Sequence, residues 1–580
     1  MKKYFLYLLL SISITLNAQV DKVILFDWLN DSQSAAFDPN SLTPDLWLDG
    51  TLQSRYTSTV DFQGRIIDVL TTADANARTS TSLSSGNIRF KPSWNGEAIY
   101  MNNQTGLTIG SASTLKYYHG GGAFTIYTII KPLDVASSST QQYIWRTGTN
   151  SATNASQIGI NLFYRNLTGT AVKTCRLAIF NAGGGSTGPF DVTCSDNSLV
   201  VNEYNIIKAV FTGTALTVYV YNSNTGGVFV QKGTDATGSG LSSSDATQGF
   251  RLGDISSAFQ GYFKNTLLFP RVLNGTETTN LETYLIAEMA NQVTVTDANV
   301  YFHFGQSNTW GQDVYASLPP DIQVGNDLGG HIFWPTTGTP ANKIGYWDKV
   351  IMGSTTNPGA SQFGPLIRYM KTLSAQGADP WLIIKGVGST IMIPNGSTSS
   401  WTSIFASQIN TNDLYPTYID QNVLTGLEEL IHVYRKNPIP RGLIKTQGES
   451  DGSTNVADTQ TKYTLEWDTW ITNFSAAVRA ANTTILTPNA ISTTKMRVLD
   501  CRIGSVATDG WPAVRAAEVD VITNYFTNHP SETSNIKAVS WADTDALPYT
   551  PPHYINGYAG TTNSLGQIIG DYFKLYYNEN

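Results

Sequence analysis

Apolar residues in the first half of the chain fall at alternate positions. Phe124-Thr125-Ile126-Tyr127-Thr128-Ile129-Ile130 has period two, and so does the stretch 209–221, rich in Val, Thr and Tyr. That period puts successive side chains on opposite faces of a strand. Gly-Gly pairs and Asn224-Thr225-Gly226-Gly227 interrupt the runs. Many short strands with polar turns, from about 40 to 290, predict an all-β sandwich. From about 296 the spacing changes. Val300–Phe304, Trp381–Ile384, Gly442–Ile444, Ile485-Leu486 and Ile536–Ser540 read as strands. Phe363–Gln376, Val423–Lys436, Lys462–Asn482, Val514–Phe526 and Ser564–Tyr577 have helical spacing between them. Strands alternating with helices predict an α/β domain whose parallel sheet is covered on both faces.

Length agrees with two domains, since 580 residues exceed what one hydrophobic core usually spans. The charged fraction is low, 14%, and the net charge of −8 comes with no basic run. Nucleic acid therefore finds no electrostatic footprint, and a neutral or modestly charged polysaccharide is the easier partner. Lys2 and Lys3 precede an apolar run, Phe5–Leu16, and Asn17-Ala18 ends on a small residue. This pattern predicts a signal peptide over residues 1–18 and a secreted protein, outside the cytoplasm or at the outer surface. The run is too short to span a bilayer, which takes roughly 20 residues, so no membrane span is expected. Cys175 and Cys194 are either a disulfide or two buried thiols, and Cys501 reads as a packing residue.

In parallel α/β folds the ligand site lies beyond the carboxyl ends of the strands. Four segments meet that condition: Gly305-Gln306-Ser307-Asn308, Gly386-Val387-Gly388-Ser389, Gln447-Gly448-Glu449-Ser450-Asp451, and Pro552-His553-Tyr554. Together they supply a serine, a glycine N–H, a side-chain amide and a histidine. Acyl transfer needs those parts: a nucleophile, a base, and donors for an oxyanion. No His-x-x-x-His or Cys-x-x-Cys spacing occurs, so neither a metal nor another cofactor is expected.

The Gly305–Asn308 and Gln447–Asp451 blocks resemble the first and third motif blocks of the SGNH hydrolases, in the sialate O-acetylesterase-like carbohydrate esterase branch. Phe363-Gly364-Pro365 and Ile384–Thr390 resemble the same branch, and the similarity spans roughly 298–575. The first half, through Leu46–Asp49, Leu252-Gly253-Asp254, Gly261-Tyr262-Phe263 and Leu267–Leu273, resembles the concanavalin A-like, or laminin-G-like, sandwiches. The resemblance implies a concanavalin A-like sandwich over 19–292 and a three-layer, flavodoxin-like SGNH esterase domain over 293–580. It implies Ser307 as nucleophile and His553 as base, with oxyanion donors from the Ser307 N–H, the Gly388 N–H and the Gln447 side chain. The implied substrate is an acetylated polysaccharide or glycan, which loses O-acetyl groups.

One position departs from that pattern. The family's aspartate three residues before the histidine is Thr550 here. Three readings follow: Asp543 or Asp545 supplies the acid, a backbone carbonyl holds the imidazole, or the site is weak or dead. Glu449 and Asn308 are candidates for loop support or substrate contact. Trp310 and Trp401 follow site loops and are either sugar platforms or core. His529 is the one rival base, while His303 and His432 read as structural. Two alternatives to a carbohydrate esterase stay open: a carbohydrate-binding protein on a weak or inactive hydrolase scaffold, and a hydrolase of lipid or small esters.

Overall fold

The computed structural model describes residues 37–576 except 52–55, 61–65, 73–79, 85–92, 102–104, 134–140, 149–157, 167–172, 182–188, 254–258, 315–317, 334–346, 353–361, 394–398, 403–412, 454–457, 485–490, 504–509, 551–552, 555–558, 560–563 and the single positions 239, 312, 543, 546 and 548. The expected signal peptide, the Ile485-Leu486 strand and Asp543 lie outside the described residues.

The first half is a β-sandwich of two antiparallel sheets. One carries Phe124–Pro132, Asn205–Phe211, Leu216–Tyr221 and Gly261–Phe269; the other carries Ile158–Asn166, Lys173–Asn181, Gln142–Arg146 and Phe250–Gly253. Their facing residues, among them Ile126, Ile130, Leu162, Leu177, Val218 and Phe263, form one apolar core. Cys175 and Cys194 lie inside it as free thiols, their sulfurs 2.9 Å apart. Helix α1 (Gly275–Ala290) follows the last strand, its first turn closed by reciprocal bonds between Asn274 and Glu277.

The second half contains a seven-stranded sheet. Its strands are β1 (Thr296–Gly305), β2 (Asp327–Phe333), β3 (Trp347–Ile351), β4 (Pro380–Gly386), β5 (Lys436–Thr446), β6 (Met496–Cys501) and β7 (Ile536–Ala542). The order is β3-β2-β4-β1-β5-β6-β7, parallel except where β3 pairs with β2. The helices are α2 (Leu366–Ser374), α3 (Thr425–His432), α4 (Thr459–Thr484), α5 (Trp511–Asn528) and α6 (Leu565–Leu575). Alternation along β1 builds both faces: Val300, Phe302 and Phe304 share a core with α3, α4 and α5, and Tyr301 packs with α2 and α6. The strand beside β5 is Met496–Cys501, which the apolar pattern did not mark. Its polar members Arg497 and Asp500 mask the apolar run. The hairpin β2–β3 was also unforeseen, because Gly329, Gly330 and His331 break the strand pattern.

The two halves share a core. His432, fully buried at the end of α3, stacks on Tyr100 of the sandwich with ring centroids 4.4 Å apart. Its Nδ1 lies 2.6 Å from the Tyr262 hydroxyl, and the Tyr100 hydroxyl donates to Glu428 at 2.8 Å. Arg435 donates to Tyr262 at 3.2 Å and lies 3.4 Å from Glu97. Among the described residues, no helix is long and apolar enough to cross a membrane.

Candidate active site

β1 is the middle strand, and its carboxyl end runs into a helical turn, Ser307–Trp310. Gly305 makes the junction with φ +151, and a Cβ there would sit 2.2 Å from the Thr446 carbonyl oxygen, so only glycine fits. The Gln306 N–H donates to that same carbonyl at 3.1 Å. Ser307 is half-buried at the first position of the turn, where backbone N–H groups point outward.

The loop after β4 is tied alongside. The Val387 N–H donates to the Gly305 carbonyl at 3.0 Å, and the Trp310 indole N–H donates to the Gly386 carbonyl at 2.9 Å. Gly388 is exposed, and a Cβ there would meet nothing within 4 Å. Its N–H donates to no group among the described residues. Ser389 follows in the left-handed region at φ +59, a strained conformation of the sort that clusters at functional sites.

A buried carboxylate supports the serine turn from β5. Glu449 opens the short helix Glu449–Ser453 and accepts from the side-chain amides of Gln306 and Asn308, the two neighbours of Ser307. The Ser450 hydroxyl donates to Gln306 Oε1 at 2.8 Å. Burial pushes the Glu449 pKa up to about 7, against which the two amide bonds work. Asp451, buried and pushed up to about 6, accepts the N–H groups of Met392 and Ile393 at 2.9 Å.

Gln447 behaves differently from the expectation of an oxyanion donor. Its side chain is fully buried, and Nε2 donates to the Thr390 carbonyl at 2.7 Å and to Asp451 at 3.3 Å. Both amide hydrogens are spent, so Gln447 braces the Val387–Thr390 loop. Of the two readings open for Trp401, the structure gives core: it is 0% exposed, packs on Phe304 at 5.1 Å and donates to Thr390.

Beneath the loop, Lys445 reaches Asp500 at 2.6 Å and Glu518 at 2.8 Å, all three fully buried. Burial alone would lower the lysine, but the two carboxylates outweigh it and hold it protonated. Burial, with Asp500 close by, pushes Glu518 up to about 8. This triad escaped the sequence reading, because one lysine inside an apolar strand resembles an edge residue.

His553 lies in a two-residue strand whose Cα atoms come within 8 Å of the Ser307–Trp310 turn. Thr550 stands directly opposite it across the hairpin. Asp545 is held by Arg502 at 3.1 Å and Arg515 at 2.8 Å. The rival His529 sits just past the far end of α5, whose start at Gly510 bonds to Gly452 beside the site. Eighteen helical residues put it roughly 27 Å away, and it is spent on Asp468 at 2.5 Å. His303 is fully buried between Tyr369 and Thr446, both at 3.1 Å, and burial lowers its pKa to about 3, which keeps it neutral.

No family model and no curated protein matches the chain. Among solved structures it is similar to the CBM40 of the Ruminococcus gnavus IT-sialidase bound to α2,3-sialyllactose. That match has 15% identity over 31% of this chain and 93% of that one, with a TM-score of 0.24. It is similar to the Trypanosoma rangeli sialidase at 12% identity over 47% of this chain and 40% of that one, with a TM-score of 0.29. Domain 4 of AbnA, a GH43 extracellular arabinanase from Geobacillus stearothermophilus, matches at 14% identity over 36% and 91%, with a TM-score of 0.24.

Proposed function

We propose that the chain is an exported serine esterase of the SGNH type that removes O-acyl groups from a carbohydrate. The observation that carries this reading is the placement of Ser307. It opens a helical turn at the carboxyl end of the middle parallel strand, with the unspent, exposed N–H of Gly388 on the adjoining loop. A serine hydroxyl needs a base, and the strand bearing His553 runs beside that turn.

In this reading Ser307 Oγ attacks the acyl carbonyl carbon while His553 takes its proton. The carbonyl oxygen becomes an oxyanion held by the N–H groups of Ser307 and Gly388, each worth roughly 3 kcal/mol. The intermediate collapses, the sugar oxygen leaves with the proton from His553, and an acyl-serine remains. Water, deprotonated by His553, attacks that ester, releases the carboxylic acid and regenerates Ser307. Gln447 contributes by holding the Gly388 loop, and Glu449 by holding the Ser307 turn.

A second reading, a carbohydrate-binding protein with a weak or inactive hydrolase domain, draws on Thr550 opposite His553 and on Asp545 engaged by two arginines. Acetate release from acetylated xylan and acetylated sialoglycans separates the two. The esterase reading expects release by the wild type and none by Ser307→Ala or His553→Ala. No release by the wild type from any substrate, with glycan binding unchanged in Ser307→Ala, overturns it in favour of the second.

A further inference from the structure

The second sheet of the sandwich turns one face to the core and the other away from it. Leu107, Leu162, Leu177 and Leu252 point inward. Their alternates form a row in register across five strands, Thr108–Arg251–Arg146–Asn161–Ala178, ending opposite Asp191 on a sixth. Two arginines therefore stand directly opposite each other on adjacent strands. Like charges so placed repel and weaken the sheet. The one carboxylate in the row, Asp191, is taken by Arg176 through Nε at 2.8 Å and through Nη2.

The donors in this row outnumber their acceptors. Among the described residues, the buried Arg251 Nε, Asn161 Nδ2 and Thr108 Oγ1 find no hydrogen-bond partner. Among the described residues, no carboxylate lies within ion-pair distance of Arg251. The Asn161 side chain is fully buried and its Oδ1 accepts from the Gly148 N–H at 2.9 Å, which fixes its amide nitrogen on the other side. Arg146 lies with its guanidinium 4.5 Å above the Tyr143 ring, and Tyr143 packs with Phe163, Ala178 and Phe180 in an apolar cluster separate from the main core. A buried polar group without a partner is costly, so a row of such donors beside paired cations calls for an anionic acceptor.

We infer that this face binds the carboxylate of an acidic sugar, with Arg251, Arg146, Asn161 and Thr108 as its donors. A planar guanidinium matches a carboxylate with two parallel N–H···O bonds, and Arg251, half-buried, is the arginine an incoming ligand meets first. The anion is argued from the row alone; its attachment to a sugar rests on the carbohydrate reading of the whole chain. The site is remote in sequence from Ser307 and does not depend on catalysis there.

Titration calorimetry on the full chain tests this with trigalacturonate and sialyllactose, against a neutral trisaccharide and lactose. The expected result is binding of at least one acidic sugar, weakened by added salt, at least tenfold weaker in Arg251→Gln and partly kept in Arg251→Lys. Which acidic sugar binds identifies the source of the carboxylate. Thr108→Val, which removes one donor at little cost to packing, is the second variant and is expected to weaken the same titration. Absence of binding to both acidic sugars overturns the inference. So does equal binding of the neutral sugars, or affinity unchanged in both Arg251→Gln and Thr108→Val. Acetate release in parallel keeps the two proposals apart, since Ser307→Ala is expected to abolish release and leave this binding intact.

Discussion

Replacing Glu449 by glutamine separates stability from activity at one position. Glu449 is 3% exposed, and burial raises its pKa from 4.5 to about 7. Below pH 4.5 the group is protonated in the folded and the unfolded chain alike, so it adds no pH dependence. Between 4.5 and about 7 the unfolded chain releases its proton while the folded chain keeps it, so stability falls as pH rises. Above about 7 the full penalty is present. At roughly 1.4 kcal/mol per pH unit, the rise from 4.5 to about 7 comes to about 3 kcal/mol. Glutamine never ionises. Glu449→Gln is therefore expected to match the wild type at pH 4 and to exceed it by about 3 kcal/mol at pH 9. Activity moves the other way. A carboxylate accepts from both Gln306 and Asn308, whereas a primary amide has one acceptor oxygen and sets its NH2 against the other donor. One lost charge-assisted bond, roughly 1.5–3 kcal/mol, loosens the turn around Ser307 and is expected to lower kcat/KM on an acetylated substrate about 10- to 100-fold. Denaturant midpoints at pH 4 and pH 9, with esterase rates on the pH 9 samples, check both halves. Stability curves that run parallel for the two proteins across this range would refute the burial argument. Full activity in the variant would refute the positioning argument.

Three further outcomes follow from the same geometry. Lys445→Met leaves Asp500 and Glu518 buried without their cation; a loss of about 3–5 kcal/mol is expected at pH 8, shrinking as the pH is lowered because burial raises both carboxyls and lets them take up protons, read by urea unfolding. Gln447→Ala is expected to cost about 1–3 kcal/mol of stability and less than tenfold in kcat, because its amide braces Thr390; a drop of 100-fold or more in kcat would restore it as an oxyanion donor. Cys175 and Cys194 are free thiols whose sulfurs lie 2.9 Å apart, so a mild oxidant is expected to join them; alkylation of the oxidised, unfolded protein then labels Cys501 alone before reduction and all three cysteines after it, and three labels without reduction would show that the pair does not close.

The legible parts of this fold were those with one strong period. Phe124–Ile130 and Lys462–Asn482 read directly as strand and helix, because each keeps one period along its length, although the strand turns out buried on both faces. β6 was missed because Asp500 and Arg497 interrupt its apolar pattern, and Asp500 is tolerated there through Lys445, a partner 55 residues away. Site glycines and the Ser307 block were visible from their position after strands. The role of Gln447 was not, because its type suits both a brace and a donor, and only the distance to Thr390 decides between them. Asp545 was likewise legible as an acid near His553, while its two arginine partners lie 43 and 30 residues earlier.

The seam between the halves bears on how this chain can be handled. With the His432 ring lying against Tyr100 and its nitrogen on Tyr262, the sandwich is a wall of the α/β half and not an appendage on a tether. Hydrophobic residues run without interruption from Trp47 and Tyr100 to Trp467 and Trp511. Melting is then one event, and a protease or a recombination breakpoint placed between the halves cuts through the heart of the protein. A substitution at the seam lowers the melting temperature of both sheets together. Grafting either half onto a new partner requires a replacement surface for the other.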